Sequence, residues 1–353
     1  MKKPASIVCC TPFWGDNWKW FAPELDREQL RWYFYADKSR GEIERYLRTS
    51  VFRTCLEAVR CAKQQQADLL FTHNPRLSLW CVLFATLLRI KTNHIAYSFN
   101  FHNLPHGLRY HLYKWACTKI SKFIVYSQWE KEFYSEYFDI PPERIEMRFW
   151  SMAVPQIEPE EPLETGDYIC AIGGNARDYE TLMAAMEKLP DIKMVIVVRP
   201  HNLKNLSVPP NVKALVNIPE SQAMNILKYS RFMVLPLKGS EVPCGHITLV
   251  AAMHLGKAFI ITNSIGVSDY VFPDRNAITC EAFSPDALAK TIRDLWNDPV
   301  KCQQLGENGR QFAQKYCASD LGRQHLQRLL FDFLNADESR CTQMHADKFP
   351  ISN

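Results

Sequence analysis

The stretch LPLKGSEVPCGHITLVAAMHLGKAFIIT, residues 235–262, holds the residues best suited to bind a charged ligand. An apolar run, FMVLPL (232–237), stops at Lys238-Gly239-Ser240 and leads into a loop rich in Pro, Gly and polar residues. From about His246 the apolar spacing turns helical, with Ile247, Val250, Ala251, Met253 and His254 close to one face. Gly256 ends that helix and AFIIT (258–262) reads as a second buried strand. A loop entering a helix N-terminus beside strand ends suits an anion, because unpaired N–H groups and the positive end of the helix dipole converge there. Gly245 lets a phosphate approach the backbone, and Thr248 adds a hydroxyl in the first turn. An ordinary strand–helix–strand unit with a capped helix gives the same spacing.

The elements that must position this loop alternate along the chain. In the first half, strands are predicted over 6–12, 31–36, 67–75, 93–103, 122–127 and 144–151, with helices over 42–66, 78–89, 110–120 and 128–137. A stretch that is acidic, rich in proline and without apolar period, PQIEPEEP (155–162), reads as an interdomain linker. The second half repeats the logic. Strands fall over 167–174, ending in Gly173-Gly174, then 192–198, 211–216, 232–237, 258–262 and 276–281. Its helices fall over 179–189, 221–229, 246–255, 285–297, 300–317 and 321–334. This alternation predicts an α/β protein with parallel sheets flanked by helices on both faces.

Length and composition agree. At 353 residues the chain exceeds one typical core, and two domains are expected. Domain limits are drawn at 1–155, linker 156–163, 164–335, and a polar tail over 336–353. The net charge of +4 is too mild for nucleic acid as the main partner. The 12 cysteines show no Cys-x-x-Cys spacing, so they read as reduced core residues of a cytoplasmic protein, with no disulfide framework and no metal site. The longest apolar stretch, 77–88, is shorter than a membrane span.

The order and spacing resemble a nucleotide-sugar glycosyltransferase of the GT-B fold, most similar to family 4 (group 1). GGNARDYETLMAAM is similar to the family's segment after the first donor-domain strand, where Arg177 falls on a basic position before a helix. AAMHLGKAFIITNSIGVSDYV resembles E-A-M-A-x-G-x-P-V-I...G-G-x-x-E-x-V, with Ala252-Met253, Gly256, Gly266 and Asp269 in register. SKFIVYSQWEKEFYSEYFDIPPERIEMRF is similar to the segment that joins the acceptor domain to the linker. The departures lie at the donor loop. Pro243 and Ala251 stand where the family has two glutamates, and the loop Cys244-Gly245-His246-Ile247-Thr248 looks more like the G-x-x-T loop of inverting GT-B enzymes. The resemblance implies two doubly wound Rossmann-like domains facing a cleft, an acceptor side first and a donor-nucleotide side second. It implies sugar transfer from a nucleoside-diphosphate-sugar, as substrate and with no cofactor, to a saccharide or lipid-linked acceptor. A GT-B nucleotide-sugar epimerase and a non-catalytic GT-B-like binding protein are the alternatives.

Glycosyl transfer needs the diphosphate leaving group stabilised as the anomeric bond breaks, which enzymes of this fold generally do without a metal. The groups expected here are the amides of Gly245, His246, Ile247 and Thr248, the Thr248 hydroxyl, and Arg177. Arg177 reads as a first-turn residue, where an Arg opposes the helix dipole and so favours a functional over a solvated role. Arg199, at a neighbouring strand end, is a second cation, and Glu241 would bind sugar hydroxyls; surface residues fit both places equally. On the acceptor side, three loops follow strand ends, where open α/β sheets bind ligands. Trp14, Gly15 and Asp16 follow the first, His73 follows another, and His102-Asn103 follow the third, where family 4 commonly has His-Asp contacting the sugar. If transfer inverts, Asp16 or His102 is the expected base. The aromatic and basic content of the first half, including Trp18, Lys19, Arg109, Tyr110, Lys114 and Trp115, suits peripheral contact with the inner face of a membrane; a core-facing aromatic helix is the rival reading.

Overall fold

A computed structural model describes residues 4–12, 30–37, 49–101, 103–241 and 243–346, with side chains through 334. The chain divides into two compact units. One comprises Met1–Tyr126, Glu130–Arg148 and Arg323–Asn353; the other comprises Ser127–Trp129 and Phe149–Gly322.

The first unit is a parallel sheet of β1 (Ala5–Thr11), β2 (Leu30–Ala36), β3 (Leu69–His73), β4 (Asn93–Tyr97), β5 (Lys122–Val125) and β6 (Ile145–Met147), ordered β2-β1-β3-β4-β5-β6. Around it pack α1 (Ser50–Gln65), α2 (Pro75–Leu87), α3 (Leu108–Cys117) and α4 (Gln128–Phe138). Successive side chains of a strand point to opposite faces, so β1 sends Ile7 and Cys9 into one apolar cluster and Val8 and Cys10 into another. Both faces being covered explains why its strands read as continuous apolar runs.

Two elements differ in extent from the sequence reading. β4 stops at Tyr97 rather than running to 103, because Ser98 takes φ 51° and turns the chain, after which Phe99 and Phe101 enter the aromatic core. α2 begins at Pro75 rather than 78: the Asn74 side chain accepts the Leu77 N–H, and Pro75 at the first position needs no donor partner. Residues 42–48 of the long predicted helix lie outside the described residues.

The second unit is also parallel, with β7 (Ile169–Ile172), β8 (Met194–Val198), β9 (Val212–Val216), β10 (Met233–Leu235), β11 (Phe259–Thr262) and β12 (Ile278–Cys280), ordered β12-β11-β10-β7-β8-β9. Its helices are α5 (Tyr179–Glu187), α6 (Glu220–Tyr229), α7 (His246–His254), α8 (Pro285–Trp296) and α9 (Pro299–Tyr316). The chain builds β7, β8 and β9 outward, then returns to the other side of β7 as β10. Strand order therefore reverses between β7 and β10, and a crevice opens at their carboxyl ends.

The Pro-rich segment docks on α6 of the second unit. Asn225, fully buried, donates to the carbonyls of Pro159 and Glu161 (2.7 and 2.8 Å) and accepts the Leu163 N–H at 3.0 Å. The last helix, α10 (Ser319–Ala346), was read from sequence with the second half, yet from Arg323 onward it groups with the first unit. Leu326, Leu329 and Leu330 join the cluster under β1, and His325 meets the Glu146 carboxylate at 2.7 Å. Among the described residues no helix is long and apolar enough to cross a membrane.

Candidate functional site

At the β7/β10 reversal the two loops pair. Arg177 and Leu237 form an antiparallel bridge, with Asp178 N–H donating to the Pro236 carbonyl and Lys238 N–H to the Ala176 carbonyl. Arg177 is thereby held before the helix, not in its first turn as expected: Asp178 is the cap, accepting the Thr181 N–H at 3.1 Å, and α5 starts at Tyr179. The dipole argument for Arg177 thus fails, and burial replaces it.

Arg177 is only 5% exposed. Its Nη1 donates to the Asn175 carbonyl at 2.9 Å, and its Nη2 to Thr248 Oγ1 at 3.3 Å. Its Nε has no hydrogen-bond partner, and no carboxylate pairs with it among the described residues. A guanidinium taken out of water without an anion costs several kcal/mol by order of magnitude, so its natural partner is a negatively charged ligand.

Two glycines make room for the cations. A Cβ on Gly173, at φ +121°, would lie 2.8 Å from Arg177 Nη2, and one on Gly174 would lie 2.8 Å from Arg199 Cγ and Cδ. The Arg199 stem thus runs over the end of β7 while its residue remains exposed.

The α7 opening faces the same guanidinium. Gly245 is the N-cap, at φ 103°, and supplies no side-chain cap. The first helical bond runs from Leu249 N–H to the Gly245 carbonyl. Ile247 and Thr248 N–H find no acceptor among the described residues, as expected in a helix's first turn. A Gly245 Cβ would lie 3.8 Å from Arg177 Nη1, so cation and amides converge on one place.

Other predicted residues sort differently. His246 is buried, and its Nε2–H donates to the Gly266 carbonyl at 3.1 Å while its ring packs on Tyr270. Burial, and secondarily the Arg177 charge, lowers its pKa to about 4, so the side chain is neutral and serves to hold the loop after β11. Ile247 is half exposed beside the helix opening, and Glu241 is exposed on the loop. Ala251 is buried in the core, so no carboxylate stands on that part of α7. Lys238, which the sequence reading passed over, is an exposed cation next to the Arg177–Leu237 bridge; a basic residue just past an apolar strand was its signal.

In the first unit, His73 at the end of β3 is buried and its Nε2 meets Ser98 Oγ at 2.9 Å. Burial lowers its pKa to about 3, which suits a structural imidazole better than a base. Asn103 is exposed past the end of β4. Trp14, Gly15, Asp16 and His102 lie outside the described residues. Glu130, unremarked in the sequence, is fully buried and accepts from Asn100 Nδ2 (2.8 Å), Tyr126 N–H (3.1 Å) and Tyr134 Oη (3.3 Å).

Two parallel doubly wound sheets, with a cationic loop-to-helix site at the strand-order reversal of the second, define a class: a glycosyltransferase of the GT-B fold. Residues 163–312 match the family model for "Glycosyl transferases group 1", and residues 19–147 match that for "Glycosyltransferase Family 4". The chain belongs to this group 1/family 4 assembly of glycosyltransferases.

Solved structures agree on the fold. Sucrose-phosphate synthase from Thermosynechococcus elongatus superposes with a TM-score of 0.73 at 14% identity, covering 94% of this chain and 100% of that one. Anabaena HepE in complex with UDP gives 0.71 at 12%, covering 93% and 100%. A glycosyltransferase from Rickettsia africae ESF-5 gives 0.68 at 13%, covering 94% and 99%. No curated protein matches the chain in sequence.

Proposed function

We propose that the second unit binds a nucleoside-diphosphate-sugar with its diphosphate between Arg177, Thr248 and the α7 opening, and that the sugar passes to a saccharide or lipid-linked acceptor. One observation carries this reading: a buried guanidinium that, among the described residues, has no anion, beside the Ile247 and Thr248 amides, which have no acceptor there either. In the transfer, the bond from the anomeric carbon to the β-phosphate oxygen breaks and its electron pair stays on that oxygen. A bond forms from the acceptor oxygen to the anomeric carbon. The acceptor proton goes to a side chain such as Asp16 or His102, or to the leaving phosphate. Fixed N–H donors and a cation at the leaving oxygens lower this barrier without reorganising at the moment of reaction. They take the role a divalent cation would have, so transfer is proposed to be metal-independent.

Anabaena HepE, which shares the fold, has been captured with UDP, and that supports UDP as the first probe here. The test is mass spectrometry of the full chain incubated with pooled sugar nucleotides and with oligosaccharide or lipid-linked acceptors. Product one sugar heavier, equal release of nucleoside diphosphate, and a rate unchanged by added Mg²⁺ or Mn²⁺ are expected. Nucleotide release without acceptor product, or a rate that appears only with the divalent ion, contradicts the respective part.

Peripheral membrane contact through the first unit is part of the same proposal. Leu108 and Leu87 are 89% and 75% exposed, beside exposed Arg109 and Arg89. Cosedimentation with anionic vesicles that weakens in high salt is expected; no cosedimentation in low salt removes this element.

A further inference from the structure

Three cysteines far apart in sequence meet inside the first unit: Cys10 near the end of β1, Cys55 in α1 and Cys81 in α2. All three are fully buried, and their sulfurs lie within 4.8 Å of one another. Cys10 Sγ and Cys55 Sγ are 3.9 Å apart, and Cys55 donates to the Leu77 carbonyl at 3.7 Å. The cluster around them includes Val8, Val51 and Leu70, and the charges of Asp37 and Arg76 are near enough to act on Cys55.

A disulfide would use two of these sulfurs and require them to close to about 2.0 Å, leaving the third without a role. A bound cation would use all three with little movement. With metal–sulfur bonds of about 2.3 Å, tetrahedral geometry separates two sulfurs by about 3.8 Å, close to the 3.9 Å between Cys10 and Cys55, and the third sulfur lies within 4.8 Å of both. Thiolates select soft cations, and the three ligands come from three different elements, so an ion would cross-link β1, α1 and α2. Among the described residues no fourth His, Cys, Asp or Glu joins the group.

We infer that Cys10, Cys55 and Cys81 form a binding site for one thiolate-seeking d¹⁰ cation, zinc(II) or copper(I). Binding releases the thiol protons to solvent and leaves the ion held by sulfur with no change of oxidation state. The role is structural. The site lies within the first unit, whereas the diphosphate site is built from the second, so it is independent of the proposed transfer chemistry.

The test uses the full-length protein, reduced and stripped of metal. It is loaded in separate arms with Zn²⁺, with Cd²⁺ as a spectroscopic stand-in for zinc, and with Cu⁺ held by a competing chelator. Metal retained after gel filtration is counted. Expected are about one equivalent of Zn²⁺ or Cu⁺ and a thiolate-to-metal charge-transfer band with Cd²⁺ or Cu⁺. Both should be lost in Cys10→Ala, Cys55→Ala and Cys81→Ala and kept in Cys302→Ala, which lies outside the group. Retention well below one equivalent in all arms, or retention that the three substitutions leave unchanged, overturns the inference. A measurement on the unmutated protein guards against variants that fail to fold: alkylation of these three cysteines, mapped by peptide mass spectrometry, should slow at least tenfold on loading. Equal rates with and without metal also overturn it.

Discussion

The carboxyl ends of the two sheets each hold a buried charged group, and the two are partnered differently. In the first unit Glu130 accepts from three donors, and His73, Ser98 and Tyr126 form a chain of contacts. In the second unit, Arg177 is also buried but has an unmatched Nε and, among the described residues, no carboxylate. The same fold plan therefore yields a buried acid hydrogen-bonded on both oxygens in one half and, among the described residues, a buried cation without an anion in the other. A buried acid held by hydrogen bonds serves the fold, whereas a buried cation without an anion is costly to the fold and can pair with an anionic ligand.

The comparison breaks most directly at Arg177. Arg177→Met keeps length and removes charge, and kcat/KM for sugar transfer is expected to fall by about a hundredfold to a thousandfold. Unfolding in denaturant without ligand should shift little, because the lost hydrogen bonds are offset by relief of a desolvated charge. Lost stability with unchanged turnover would make Arg177 structural. Glu130→Ala should behave inversely. Removing the acceptor shared by these three donors is expected to cost about 3 kcal/mol in chemical denaturation while leaving UDP affinity of the folded protein unchanged. A near-neutral midpoint would show that Glu130 does not hold these three groups together.

Sequence reading reached the fold because both sheets are parallel and covered on both faces, which writes each strand as an apolar run between helical periods. It reached Gly245 and Thr248 because a glycine before a helix, beside strand ends, is a local pattern. Arg177 was reached by resemblance, but its burial was not legible: it depends on Gly173 at φ +121°, on the bridge to Leu237 and on Thr248, 71 residues away. The same holds for His246. The expected ligand contact is through its amide, and the packing of its ring on Gly266 and Tyr270 had no local signal. Asn225, Glu130 and the Cys10–Cys55–Cys81 group carry no local signal at all, since each is defined by partners distant in sequence. The return of α10 to the first unit was equally hidden, because its amphipathic pattern states that one face is covered but not by what.

A smaller test concerns pH. His73 and His94 in the first unit, with pKa values lowered by burial to about 3, and His246 in the second, lowered to about 4, are neutral when folded. The unfolded chain protonates them near pH 6.5, so their stabilisation is complete above that value and is lost as pH falls toward the folded values. Each is expected to contribute a loss of about 1.4 kcal/mol per pH unit in that window. His246→Gln keeps an N–H donor for Gly266 and cannot titrate, so its denaturation midpoint should fall less between pH 7 and 5.5. An unchanged slope would place His246 in contact with solvent.

The most direct measurement is calorimetric titration of UDP into the wild-type chain and into Arg177→Met, with folding of both checked by circular dichroism. Saturable binding to the wild type that weakens at least thirtyfold in the variant is expected, the buried cation being the main seat of the diphosphate. Equal affinity in the two proteins, or no UDP binding by the wild type, would contradict it.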